Sequence, residues 1–290
     1  MTDNARGALL MTIGMAAFVI NDTFMKLTLA EIPLFQALFL RGVGTTVFFA
    51  VLAWRLGALS FDLPARDLRM LALRVFAEAM SAWTFIYALA HMPLANLTAI
   101  LQALPLTITM AGAIFLGERV GWRRWLAIAV GFVGVLLIVR PGTEGFDRFS
   151  VIALVAVAFV TLRDIATRRM SRAVPSMTAA FATAIGVTGF AGIGALTVDW
   201  APMTGAIWIW IGAMVLFIAA GYVLSISAVR VGELGFVTPF RYTSLVWALA
   251  LGFLVFGDWP DGLTMAGAAL VVATGLFTFY RERVRQRRAA

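Results

Sequence analysis

The chain is a succession of long apolar runs interrupted by short clusters of charge, proline and glycine. Roughly 20 apolar residues suffice for a helix to cross a bilayer core. Runs of that length recur at 7–28, 34–55, 67–90, 94–116, 122–140, 149–169, 178–198, 205–228, 235–256 and 262–280. Nothing alternates with the period of two that membrane strands show. The pattern predicts an all-α integral membrane protein of ten transmembrane helices. Connections such as Pro33 or His91-Met92-Pro93 are too short for domains outside the membrane, so any binding belongs to the bundle. The first run contains Asn21-Asp22 and no small-residue cleavage pattern follows it, so it reads as a retained helix and not a signal peptide.

Composition sharpens this. Of 290 residues, 62% are hydrophobic and 13% charged, against about 25% charged in soluble domains. That excludes a soluble enzyme and a disordered chain, and the absence of cysteine excludes a disulfide scaffold. The net charge of +8 sits in short loops, which argues against nucleic acid as a partner and for a topology signal. With the N-terminus inside, sixteen Lys and Arg fall in inner segments (among them Arg55, Arg119, Arg168, Arg172 and the tail Arg281–Arg288) and three, Lys26, Arg140 and Arg148, in outer ones. Positive charge marks the cytoplasmic side, so both termini are expected there, in a bacterial inner membrane. The expected partners are membrane lipids, a small solute and, in an assembly, a second copy as a homodimer.

The two halves track each other. At an offset of 142, Asp22 matches Asp164, Lys26 matches Arg168 and Pro33 matches Pro175. At an offset of 140, Leu94, Thr98, Gly117 and Glu118 match Leu234, Thr238, Gly257 and Asp258. Residues 1–141 and 142–290 therefore read as two five-helix copies, the second ending in the basic tail. Five is odd, so the copies have opposite orientation, the arrangement of secondary transporters whose substrate sits between the halves.

The end of the first copy runs from Pro105 to Gly117-Glu118-Arg119, then Trp122 and the spaced Gly131 and Gly134. With Asn21-Asp22 through Lys26 and Arg41, this resembles the EamA module of the drug/metabolite transporter superfamily, across essentially the whole chain. The second copy departs from the pattern, with Leu245 in the proline's place and Asp258 for Glu. The resemblance implies ten helices as two inverted repeats around a central cavity, and alternating access without ATP. No Gly-x-x-x-x-Gly-Lys motif is present. The run from Leu94 to Pro105 with the Asn-Asp-x-x-x-Lys helix is most similar to the riboflavin-uptake branch. Amino-acid or related metabolite export is the alternative, and an integral-membrane enzyme a remote one. One His and no Cys leave no metal or thiol chemistry, so no cofactor is expected.

Charges within spans cost about 2.5–3.5 kcal/mol on insertion scales and mark function by default. They are Asp22, Arg41, Arg74, Glu78, Arg163, Asp164 and Arg241. Arg74 and Glu78, four apart, read as an ion pair. Asp22 and Lys26 share that spacing and read either as an intrahelical pair or as a cavity or proton site. Arg163 and Asp164 are adjacent and diverge by about 100°, so at least one needs another partner, expected from the first helix. Asp22, Lys26, Arg41, Arg163 and Asp164 are the coupling or gating candidates.

For substrate the candidates are Thr98 and Gln102 on one face before Pro105, Arg241 and Tyr242 beside Pro239, and Trp83 with Tyr87 as a stacking pair. Tyr222 adds a polar rim. Gln102 and Tyr242 are repeat mates, expected to face one ligand from two sides; helix packing and the interfacial aromatic belt are the competing readings. Trp122, Trp125, Trp208, Trp210 and Trp259 read as belt, and His91 as a solvated loop residue.

The charge bias generates a topological test. A cysteine at Thr143 should label from the periplasm and one at Arg172 should not; the reverse pattern overturns the orientation.

Overall fold

The structure, a computed structural model, describes residues 2–56, 63–118, 120–141, 147–171 and 174–289. Arg119, the loop around Thr143, Arg172 and the side chains of Arg283, Arg285, Arg287 and Arg288 lie outside the described residues. The described residues form α1 (Asp3–Leu29), α2 (Leu34–Leu56), α3 (Ala65–His91), α4 (Leu94–Leu101), α5 (Leu104–Leu116), α6 (Trp122–Val139), α7 (Arg148–Arg169), α8 (Ser176–Ala195), α9 (Gly205–Val231), α10 (Leu234–Val237), a 3₁₀ turn (Thr238–Tyr242), α11 (Thr243–Phe256) and α12 (Gly262–Ala289). All ten spans of the hydrophobic pattern are present.

Two of them are not the continuous helices expected. The fourth breaks into α4 and α5 at Gln102-Ala103, with Pro105 in the first turn of α5. The ninth passes through the 3₁₀ turn that holds Pro239 before α11 begins. Proline lacks the N–H for the helical ladder and its ring crowds the preceding turn, so each helix restarts around it. Leu245 does stand in the place of Pro105, yet Pro239 interrupts the second copy at nearly the same depth. The two spans also end alike. Gly117 and Gly257 adopt φ 68° and 72°, a left-handed conformation that glycine reaches without a Cβ clash. The next N–H, of Glu118 or Asp258, then returns to Gly112 or Gly252 at 3.2 and 3.0 Å, closing the open carbonyls of the last turn.

Packing obeys the same exchange of halves. α1 lies on α9 as α3 lies on α7, and α1 touches α11 as α7 touches α5. α2 meets α9 as α8 meets α3, while α2–α8, α4–α11 and α6–α12 pair across the pseudo-twofold axis. Each span thus finds its main neighbours in the opposite half. α4 is innermost, with Leu94, Leu97 and Ile100 fully buried. Nine segments among the described residues are apolar enough to cross a membrane unaided, and α3, which carries Arg74 and Glu78, is not among them. The outer surface exposes Trp54, Trp122, Trp208, Leu254 and Trp259, as a lipid-facing wall does. Trp210 is not on that belt: it is partly buried against the core.

α6 and α12 meet backbone to backbone. A Cβ on Gly134 would lie 2.8 Å from the Gly267 carbonyl, and one on Gly267 2.5 Å from the Gly134 carbonyl. Small residues allow backbones to touch in this way, and dispersion replaces the hydrophobic drive that lipid does not supply. Gly134→Leu and Gly267→Leu should each destabilise the detergent-solubilised protein by about 1–3 kcal/mol through overpacking. Gly212→Leu, where no atom lies within 4 Å of an added Cβ, should leave the melting temperature nearly unchanged.

Candidate functional site

Between α1, α2, α3, α8, α9 and the 3₁₀ turn lies a cavity of about 420 Å³. Its wall runs from Ser176 at the start of α8 and Val229 near the end of α9 to Arg41, Ala82 and Ile218 deeper in the bundle. It therefore opens toward the face that carries the start of α1. The other face is closed. Gln36, fully buried, donates to the Ala201 carbonyl at 3.0 Å and accepts from the Ala201 N–H at 2.9 Å. Phe35 meets Phe190, and Phe39 meets Trp200, whose Nε1 donates to Ala195 at 2.9 Å. At the rim, Arg140 pairs with Asp261, and the Thr264 N–H together with that guanidinium holds the Asp261 carboxyl below the usual carboxylate range. His91 is not simply solvated: it stacks on Phe149 at 4.3 Å, with Nδ1 2.7 Å from the Tyr87 carbonyl oxygen.

The cavity wall is cationic and aromatic. Arg41, Arg74, Arg241 and Glu78 lie on it with Tyr222, Phe18 and Phe49. Tyr222 takes the edges of both phenyl rings, at 5.4 and 5.7 Å. Thr45, Thr183 and Ser225 add hydroxyls, and the Ser225 Oγ is buried without a partner.

Behind the wall the charges pair differently from the sequence reading. Glu78 is held by Arg163, whose Nη1 donates to it at 3.0 Å, while the same guanidinium reaches back to Asp164 at 2.8 Å. So the adjacent residues do pair, because the arginine stem is long enough to fold along its own helix, and the second partner comes from α3 and not α1. Arg74 donates to Thr167 Oγ1 instead of pairing with Glu78. Lys26 turns away from Asp22, donating to the Met92 carbonyl at 2.7 Å and standing 3.6 Å from Asp258. Its repeat mate Arg168 binds Glu118 at 2.8 Å in the matching place at the opposite end of the bundle. Asp22 accepts from the Asn21 amide at 2.9 Å. The guanidinium groups of Arg41 and Arg241 make no ion pair or hydrogen bond among the described residues, so the open cavity is what solvates them.

Of the candidates, Arg41, Tyr222 and Arg241 are on the wall; Trp83, Tyr87, Thr98, Gln102 and Tyr242 are not. Trp83 meets Phe190 at 6.4 Å, and Tyr87 meets His91 and Phe149 at 4.6 and 6.0 Å, toward the closed face. Thr98 bonds back to Leu94 in its own helix at 2.8 Å. Gln102 donates across the axis to Ser244 at 2.9 Å. Tyr242 is buried against Gly275, where any Cβ would overlap its hydroxyl, and against Phe279 at 6.3 Å. The two mates therefore do not face one ligand: helix packing describes them. Glu78 went unnamed as a site residue, although its interior charge marked it. Phe18 and Phe49 carried no signal among 23 phenylalanines.

The first half, residues 5–140, matches the EamA-like transporter family. The chain is 30% identical to a riboflavin transporter of Vibrio cholerae over 219 residues, covering 74% of this chain and 73% of that one. It is 28% identical to an S-adenosylmethionine uptake transporter of Rickettsia bellii, covering 70% and 69% of the two chains. It is 26% identical to the pseudopaline exporter CntI of Pseudomonas aeruginosa, covering 92% and 93%. A solved crystal structure superposes with a TM-score of 0.66 at 18% identity, covering 97% of this chain and 99% of its own. That likeness concerns the fold.

The one-sided cavity makes an accessibility test. Cysteines at the exposed wall positions Ser176 and Val229 should react with an impermeant maleimide added from the N-terminal face, and a cysteine at Gln102 should resist it from either face. Labelling of the Gln102 position at a rate equal to the other two would remove the distinction between wall and packing residue.

Proposed function

The chain belongs to the EamA-like transporter family, and from that premise we propose that it carries riboflavin inward by alternating access. At the family level it is an integral membrane transporter and not an enzyme, as its relatives are named for transport. The observation that carries the finer reading is the wall itself: the unpaired guanidinium groups of Arg41 and Arg241 share one cavity with the Phe18–Tyr222–Phe49 cluster. A flat ring system bearing several carbonyls uses both. Its face or edge packs on the aromatics, and its carbonyl oxygens accept from arginine, a donor that offers no acceptor of its own. The name of the Vibrio cholerae relative supports the choice. On this reading the two copies, 1–141 and 142–290, lie in the bacterial inner membrane with both termini cytoplasmic. The cavity is then the inward-open site.

A second reading, export of a metabolite bearing a carboxylate, is favoured by the same two free arginines. A carboxylate takes a guanidinium in a two-pronged, charge-assisted bond.

The purified protein should quench riboflavin fluorescence on binding. Charge-assisted hydrogen bonds contribute about 1.5–3 kcal/mol, so Arg41→Gln should raise Kd by roughly tenfold or more, and Tyr222→Ala should do so through lost packing. Trp83→Ala and Gln102→Leu should change Kd less than about twofold, a shift under about 0.5 kcal/mol. If riboflavin is not bound and a carboxylate metabolite is, in an Arg41-dependent way, the exporter reading takes its place.

A further inference from the structure

The repeat places one aspartate in two kinds of company. In the second copy Asp164 has the guanidinium of Arg163 at 2.8 Å. In the first copy the residue matching Arg163 is Asn21, and Asp22 receives an amide hydrogen bond at 2.9 Å in place of an ion pair. Most acids inside the spans or at their ends have a cation, and the buried Asp67 at the start of α3 is held instead by the N–H and hydroxyl of Ser171. Glu78 and Asp164 share Arg163, Asp258 has Lys26, and Glu118 has Arg168. Asp22 is the interior carboxylate without one among the described residues, and Lys26, one turn along, is committed elsewhere.

Its surroundings are short of donors as well as of cations. Asn21 is 3% exposed, and its Oδ1 is buried without a partner. The neighbouring elements bring Arg41 from α2, Arg74 and Glu78 from α3, Tyr222 from α9, Arg241 from the 3₁₀ turn and, near Lys26, Asp258 beyond α11. Of these, Arg74 is bound to Thr167, Glu78 to Arg163 and Asp258 to Lys26. The cation nearest in charge to Asp22 is Arg41, beyond ion-pair distance, itself free of other partners and at the deep end of the cavity wall. At about 1.5 Å per residue, Asp22 lies about 28 Å along α1 from Asp3, one turn beyond Phe18, the deepest α1 residue of the cavity wall, and about 10 Å short of the helix end at Leu29. A site reached in turn from both sides of a membrane needs that position.

We propose that Asp22 carries the coupled proton of this transporter. Ionised, Asp22 holds the Arg41 guanidinium by its charge. A proton taken from water on to the carboxyl removes that charge and leaves Arg41 to the solute, so proton and solute load together. Release of the solute returns Arg41 to Asp22 as the proton departs. Substitution of Asn21 for arginine in the first copy is what makes the cycle available, since in the second copy the Arg163 guanidinium already occupies Asp164. The inference rests on the reading that the solute binds at Arg41.

Two measurements separate the ideas. In proteoliposomes with the membrane potential clamped, a one-unit pH gradient with the acid side outside should drive about tenfold accumulation of a neutral solute that enters with one proton. Riboflavin is the probe. Asp22→Asn, which imitates the protonated carboxyl, should keep solute exchange at equal concentrations within about twofold while accumulation falls to onefold. A wild-type protein that moves riboflavin without regard to the gradient, or an Asp22→Asn protein that still accumulates it, overturns the proposal. The second measurement needs no solute: the infrared spectrum of the purified protein at mildly acidic minus alkaline pH, both well above about 4 where exposed carboxylates take protons, should contain the carbonyl stretch of a protonated carboxyl. That band should vanish in Asp22→Asn and also in Asn21→Arg, which restores to Asp22 the cation of the second copy. A band that survives both substitutions overturns the proposal. A band lost in both, in a protein that neither binds nor moves riboflavin, overturns the riboflavin reading alone.

Discussion

In the interior of a bilayer a charged group must meet an opposite charge or keep its water, since the hydrocarbon offers neither. The arrangement of this bundle follows from how each ionic group meets that demand. Arg163 satisfies two carboxylates at once and so joins α3 to α7. Lys26 and Arg168 join the ends of α1 and α7 to the acids that follow α11 and α5. Arg41 and Arg241 have no such partner, and their place on the wall of an open cavity is the remaining solution. The cavity is therefore a consequence of the unpaired cations, and on the proposed reading it is where they meet a solute.

The copies share a backbone plan and differ in what they bury along it. Where α3 lies on α7 the interface is ionic, through Glu78 and Arg163. Where α1 lies on α9, the equivalent surface is aromatic: Phe18 against Tyr222, and Phe24 stacked on Phe217 at 6.3 Å. The equivalents of Glu78 and Arg163 there are Ile218 and Asn21. The open cavity lies on the aromatic side, with Phe18, Phe49 and Tyr222 on its wall.

Ten spans, two copies and the wall residues Arg41, Tyr222 and Arg241 were legible in the sequence, because bilayer thickness imposes length and because charge in an apolar run stands out. Pro105 and Pro239 were legible as sites where a carbonyl is freed, but the full restart of each helix depends on neighbours that a linear pattern does not name. Partner choice was hidden. Helical spacing pairs Arg74 with Glu78, yet an arginine stem reaches across a helix interface as easily as along one turn, and Arg163 arrives first. The aromatic pair Trp83 and Tyr87 had the right spacing for a stack, but spacing gives a face of the helix and not what that face meets; here it meets Phe190, His91 and Phe149.

The exchange of neighbours between halves has a thermodynamic consequence. If the first copy takes the conformation of the second and the second that of the first, every helix contact maps onto another of the same kind: α1 on α9 becomes α3 on α7, and the Lys26 and Arg168 tethers trade places. The bulk of the packing energy then cancels between the observed form and its mirror, whatever its total. The balance is left to the few positions where the copies disagree, such as Asn21 against Arg163 or Tyr222 against Ala82. A molecule held together by an entire hydrophobic bundle is in this way tipped between two forms by a handful of side chains, within range of what a bound solute supplies.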